Sequence, residues 1–518
     1  MRRALNRRPP VSQDTTFDAP VRGWVQSINR GKQAPETATI LDNWFPEIDG
    51  IRPRAGTERF AKIPNRVLSL FSYENGQNEQ FFATDETNIY NITAPVDADT
   101  DVAATVTGQT TGRYSTAIMS TAGGVFLVAC NGSDDPQLFN GATWSTAAIT
   151  GVDQSTLSNV WSFRNRLFFI ERDTMNAWYL GTEAIAGAAG QISLAGVFQR
   201  GGSLLFGATW SLDAGDGVDD LCIFVSTKGE VAVFQGSNPN DPNAWALSGV
   251  YFIGPPLGPE AIYRVGGDLL IGTEDGLISL QSSIQRERSS MSLDALSFNI
   301  ETAWRREVAR RHNFWKVTQW PEKNMLLINF IQDGSSVNYQ FVVNTRTNAW
   351  ARYIGWDVQT SHLFIDQLYY GTAEGRIMAA ERTGADDGLP YVATMVGDYN
   401  HFGTASRIKI GKMAQGVFLV GQEIKPQVGI ATDFKNQTIR PPQVASSIVN
   451  SQWDSGQWDS ATWDGLEAET VNSRWVSAYR TGQYIAPVCQ MIFSDSQAPA
   501  VKLLAINLLF EIGERSQL

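Results

Sequence analysis

A chain of 518 residues is longer than one ordinary domain, and with 43% hydrophobic and 18% charged residues it can bury a core, which excludes a disordered chain. The 41 Lys and Arg against 53 Asp and Glu leave a formal charge of −12, which excludes a protein whose main work is neutralising phosphates. Cys130, Cys222 and Cys489 stand far apart, as do His312, His362 and His401, so neither a disulfide framework nor zinc-ligand spacing is present.

The first ten residues hold Arg2, Arg3, Arg7 and Arg8 with no apolar stretch behind them, unlike a secretion signal, and no apolar run approaches the roughly 18 residues of a membrane span. Residues 1–66 have several prolines and little periodicity. They read as an extended arm laid along a neighbour or across the C-terminal domain, its basic tip either an unstructured start or a contact for an acidic partner.

From about residue 67 to 390 short apolar runs alternate with turns of Thr, Asp, Asn or Gly, the punctuation of an all-β fold. The clearest copies contain Thr84, Thr227, Thr273 and Thr372, each closing a run such as Phe81-Phe82-Ala83 and opening a tight turn. Their spacings of 143, 46 and 99 residues correspond to three, one and two units of about 46 to 50 residues. Apolar runs at 125–130, 166–170 and 325–330 fill the three gaps. Repeats of this length, each with about four strands, predict a β-propeller of six or seven blades over 67–390, because one blade cannot cover both faces of its own sheet. A helical insertion is expected near 290–312, where Leu293, Leu296, Ile300, Trp304 and Val308 recur at helical spacing before Arg305, Arg306, Arg310 and Arg311 complete a basic end. That end is expected either in solvent or against an acidic partner. From 391 to 518 the punctuation changes, and a separate C-terminal β domain is expected.

No nucleophile elbow, zinc-protease helix or phosphate loop is present, and no catalytic, cofactor-binding or metal-binding residue is assigned. Asp213, Asp216, Asp219 and Asp220 carry oxygen ligands suited to calcium, but their order is not that of an EF-hand and an acidic surface turn is the simpler reading. A pair of carboxylates for glycoside hydrolysis would leave no local pattern. Trp453, Trp458 and Trp463, each followed by Asp, form the most distinctive string. It reads either as a loop of packed indoles or as an interface anchor, and both suit assembly better than catalysis.

Three stretches carry a resemblance. The first runs from Ala19 to Trp24 and from Ala38 to Thr57, with Leu41, Asn43, Pro46, Gly50, Arg54 and Gly56; the second is the helical stretch followed by Trp315 to Ile328 and Phe341 to Trp350; the third is Arg480 to Pro487 and Pro499 to Gly513. In their order and content they resemble the tail nozzle, or tail hub, proteins of short-tailed bacteriophages, also called phage stabilisation or tail accessory proteins. The resemblance implies a virion structural protein, not an enzyme, assembled in the host cytoplasm as a homohexameric ring. Its implied partners are the portal-adaptor above and a needle, plug or fibres below, with the genome passing through the channel unbound; no cofactor is implied. The rival reading is a virion-associated propeller that binds or degrades glycans.

Overall fold

A computed structural model of the chain describes residues 12–26, 33–213, 218–284, 295–331, 338–421, 424–435 and 469–515. The chain divides into two compact units, each assembled from separated segments: one of residues 59–338 and 357–379, the other of 1–58, 339–356 and 380–518.

The first unit is a β-propeller. Six blades are sheets of their own, antiparallel and laid down in chain order. Blade 1 is Ser69–Glu74, Glu79–Thr84, Ile89–Asn91 and Ala104–Val106, and blade 2 is Ser115–Thr121, Gly124–Cys130, Gln137–Phe139 and Trp144–Thr146. Blade 3 is Leu157–Phe163, Arg166–Glu171, Asn176–Tyr179 and Gly190–Ser193, and blade 4 is Leu204–Asp213, Val218–Ser226, Glu230–Gly236 and Trp245–Phe252. Blade 5 has the three strands Ile262–Val265, Asp268–Thr273 and Gly276–Ser279. Blade 6 is Thr360–Phe364, Gln367–Gly371 and Arg376–Thr383, completed by the strand Gly56–Lys62, which enters this unit at Arg59. Between blades 5 and 6 stands a hairpin, Asn313–Trp320 with Met325–Ile331.

Each apolar run recognised in the sequence is the second strand of a blade or of this hairpin. The reason is that both faces of a second strand are buried between neighbouring blades, so the run has no polar alternation. In blade 1, Phe81 and Ala83 pack toward blade 6 against Phe364 and Ile377, whereas Phe82 packs toward blade 2 against Leu127 and Phe139. Leu127 and Ala129 then face blade 1 while Val128 and Cys130 face blade 3, and Cys222 and Phe224 face blade 3 while Ile223 and Val225 face blade 5. Each such aromatic or aliphatic side chain contributes roughly 1.5–3 kcal/mol by leaving water. The repeated threonines fasten the ends of these runs, Thr273 and Thr372 across their own turns and Thr84 and Thr227 to the start of their blade's first strand. Thr84 Oγ1 accepts from Ser69 N at 2.9 Å, Thr273 Oγ1 donates to Gly276 O at 2.9 Å, and Thr372 Oγ1 accepts from Arg376 N at 3.0 Å.

The helical insertion is shorter than its apolar spacing predicted: a 3-10 turn Phe298–Ile300 leads into a helix Glu301–Ala309, Leu296 precedes both, and Leu293 lies outside the described residues. Three arginines of its basic end pair within the chain while staying about half exposed to solvent. Buried Glu307 takes Arg306 at 2.9 Å, Arg310 at 3.0 Å and His312 at 2.9 Å, and Arg305 pairs with Glu301 at 2.7 Å.

The second unit contains two antiparallel-rich sheets. In one, the long strands Arg407–Val420 and Val501–Arg515 pair along most of their length, flanked by Ser12–Asp18, Trp44–Pro46 with Ile51–Pro53, Glu469–Asn472 and Val476–Gly482. In the other, this unit supplies Tyr339–Asn344, Ala349–Ile354, Ala38–Asp42, Tyr391–Gly397, Ile485–Phe493 and Gln427–Thr432 in that order. The described residues between 12 and 58 therefore contain strands of this unit: Ser12–Asp18 pairs with residues 505–511, and Ala38–Asp42 lies between the strands ending at Ile354 and Gly397. Their partners are hundreds of residues away, which is why no local period marked them. Among the described residues, no helix is long and apolar enough to cross a membrane.

Candidate functional site

Of the residues singled out in the sequence, Arg2, Arg3, Arg7, Arg8, Trp453, Trp458 and Trp463 lie outside the described residues, as does Asp216. Asp213 and Asp220 sit on the hairpin of blade 4, where Asp220 accepts from Ser211 Oγ, and the described residues hold no cluster of three acids, histidines or cysteines suited to a metal. Cys130, Cys222 and Cys489 are buried and unpaired; burial raises all three thiols, Cys489 to about 12, so they are inert packing groups.

Asn43, Arg54 and Gly56, from the first of the stretches that carry the resemblance, sit in a buried network of the second unit. Arg54 is fully buried and holds Asp386 with two hydrogen bonds, donates to Ile354 O and Ala55 O at 3.0 Å, and donates to Asn43 Oδ1 at 2.9 Å. Its guanidinium lies 4.1 Å from the Tyr391 ring centre and 4.9 Å from that of Trp356. Asn43, left-handed at φ 61°, returns Nδ2 to Val392 O and accepts Ile354 N, so one side chain ties three segments together. Gly56 must be glycine, since a Cβ there would stand 2.0 Å from Ala385 O. Arg52 with Glu381 and Arg352 with Asp42 repeat the pattern of a cation answered by a carboxylate. These positions hold the fold and leave no group poised for chemistry.

One surface of this unit is differently built. Among the described residues the strand Val476–Gly482 pairs only with Arg407–Val420, and Tyr479 is 63% and Trp475 41% exposed, with Val471 and Val476 also exposed. An open edge bearing aromatic side chains is a ready pairing surface.

In the propeller, the first strands of the blades meet around an axial cavity of about 340 Å³. A side chain or backbone hydrogen bond joins each first strand, or the residue entering it, to the next. Tyr114 N donates to Ser69 Oγ, Val160 N to Ser115 Oγ, Gly207 N to Asn159 Oδ1, and Arg264 to Ser211 Oγ. Val317 N then donates to Glu260 O, Thr318 meets Ser361 at 2.9 Å, and His362 Nε2 meets Ser72 Oγ at 3.0 Å, closing the ring. The cavity wall includes Arg113, Glu260, Phe314, Lys316 and His362. Lys316 Nζ pairs with Glu260 at 3.0 Å and donates to Thr360 Oγ1 at 3.3 Å. Burial pushes His362 down to about 3, with Lys316 adding to the effect, so the ring-closing imidazole is neutral at pH 7. Burial also lowers Arg113, to about 10, Glu260 pulling it up and Arg66 pushing it down, and it stays charged.

Sequence reading did not single out Arg113, Glu260 or Lys316, and took His362 only as an isolated histidine. They come from four different positions around the ring, and the cue they share, a charged or imidazole residue beside a strand otherwise spent on packing, is not distinctive.

No family model matches the chain, and no curated protein matches it. Solved structures similar to it include YCF48 from Cyanidioschyzon merolae, at 9% identity over 63% of this chain and 99% of that one with a TM-score of 0.38. Others are the WD40 β-propeller domain of Doa1, at 8% identity over 63% and 97% with a TM-score of 0.36, and the computationally designed Ika8 protein, at 11% over 62% and 99% with a TM-score of 0.35. These likenesses concern the fold alone, and the propeller stands on its own strand pairing.

Proposed function

We propose that the chain is a virion structural protein that forms the tail nozzle ring of a short-tailed bacteriophage. In this reading it links the portal-adaptor to the distal tail parts and surrounds the channel by which the genome leaves. The observation that carries the assembly is the strand edge at Val476–Gly482, open among the described residues, with Trp475 and Tyr479 exposed, a surface suited to a second copy of the chain. The resemblance of three stretches along the chain supplies the kind of assembly. A net charge of −12 suits a conduit that DNA traverses without sticking, since like charge adds a weak, salt-screened repulsion. The Arg2 to Arg8 tip is assigned to the adaptor and the Trp453 to Trp463 string to a subunit contact; no residue is assigned to catalysis.

The test is the mass in solution, alone and with the portal-adaptor complex of the same phage. The ring reading expects an assembly of about 340 kDa, six copies of a 57.0 kDa chain, formed spontaneously or on the adaptor. A chain that stays monomeric and ignores the adaptor overturns it. The rival, a glycan-binding or glycan-degrading virion propeller, is favoured by the axial cavity. There the single carboxylate Glu260 is ion-paired, which suits binding and not two-carboxylate hydrolysis.

A further inference from the structure

We infer that the axial cavity of the propeller is a binding site for a small, hydroxyl-rich ligand of monosaccharide size that carries an oxyanion, a carboxylate or a phosphate, and that Arg113 is the residue that holds the anion. The inference concerns one propeller and is independent of ring assembly.

The charge balance inside the cavity comes first. The wall carries two cations, Arg113 and Lys316, against the carboxylate of Glu260, which pairs with Lys316 at 3.0 Å and also acts on Arg113, so the lining holds one positive charge in excess in an acidic chain. Arg66 is close enough for its charge to act on Arg113 as well, against the larger pull of Glu260. A guanidinium offers five N–H donors. Among the described residues, Arg113 donates to Leu68 O, at a long 3.4 Å, and to no other acceptor. A half-buried cation with most of its donors unanswered is costly, and an oxyanion taking two parallel N–H bonds is the partner its geometry fits.

The second observation is Phe314. The pairing of Asn313–Trp320 with Met325–Ile331 shifts register between Asn313 and Trp315, so Phe314 is a bulge residue, and its φ of 59° is left-handed. For an aromatic residue that conformation is strained, and bulges re-aim side chains at functional sites. Here it aims the ring at Arg113, whose guanidinium carbon is 3.3 Å from the ring centre. Stacking fixes the plane of the guanidinium while leaving its N–H edges for a ligand. Thr116 and Ser158 on the wall supply hydroxyls that can meet ligand hydroxyls, Ser158 as an acceptor since its Oγ donates to Ile170 O at 3.3 Å; His362 is neutral and adds none of the charge, and 340 Å³ is at the small end of ligand pockets, which suits one sugar and not a polymer.

The experiment is titration calorimetry of the full chain at 50 mM salt with glucuronate, inorganic phosphate and uncharged glucose, on wild type, Arg113→Gln and Glu260→Gln. The expected result is that glucuronate or phosphate binds and glucose does not. Arg113→Gln should weaken the anion about tenfold or more. Glu260→Gln, which releases Lys316 from its counter-ion, should tighten it about threefold, a gain that damage to folding does not produce. Which anion binds more tightly tells carboxylate from phosphate. Binding of neither anion, glucose binding as well as glucuronate, or an unchanged affinity in Arg113→Gln overturns the assignment.

Discussion

His362 closes the ring of first strands onto Ser72, and replacing it by Gln keeps a hydrogen-bonding nitrogen near the same place while removing its titration. With the folded value at about 3 and the unfolded value at 6.5, the unfolded chain binds more protons than the folded one between those limits. The stability at this site is therefore intact above pH 6.5 and falls as the pH drops toward 3. At pH 5.0 the gap is 1.5 pH units, or about 2 kcal/mol at 1.36 kcal/mol per unit, and solvent in the cavity trims this to about 1–2 kcal/mol. For a unit of this size that is a few degrees in thermal midpoint. Thermal unfolding followed by near-UV circular dichroism at pH 7.5 and 5.0 gives a drop for each protein. Wild type should drop further than His362→Gln by those few degrees. Taking the difference removes Asp85 and Asp134, whose burial is outweighed by hydrogen bonds that hold them low and which destabilise both proteins in acid. Equal drops in the two proteins would refute the burial argument.

The remaining expectations concern stability and assembly. Arg54→Met removes a fully buried guanidinium from half-buried Asp386 and should cost about 3 kcal/mol, read as a lower urea midpoint of the second unit; pairing it with Asp386→Leu should return part of that loss. Gly56→Ala sets a methyl 2.0 Å from Ala385 O and should reduce soluble yield or lower the thermal midpoint by several degrees. Thr84→Val removes the acceptor of Ser69 N and the donor to Gly112 O, and should cost about 1–3 kcal/mol by denaturant titration. Tyr479→Glu places a charge on the open edge and should reduce the light-scattering mass to that of one chain while leaving the thermal midpoint of the monomer unchanged.

The propeller was legible because its signal is local. Phe81 to Ala83, Leu127 to Cys130 and Cys222 to Val225 each spend both faces of one strand on neighbouring blades, so the run is continuous, and a polar side chain at its end, Asp85, Asn131 or Ser226, accepts the backbone N–H groups of the turn that follows. The sequence by itself therefore determined the repeat length, the second strand of each blade and the class of fold. Where the chain leaves and re-enters each unit was decided by tertiary structure. Residues 339–356 look like one more pair of propeller strands in sequence, yet belong with residues 1–58 and 380–518, because Arg352 meets Asp42 and Arg54 meets Ile354 and Asp386. The cavity is of the same kind. Arg113, Glu260, Phe314, Lys316 and His362 are scattered over 250 residues, and only closure of the ring brings their side chains to one wall. Burial of apolar runs repeats with the chain and writes a period into it; a charge meeting its partner across the fold leaves no period to read.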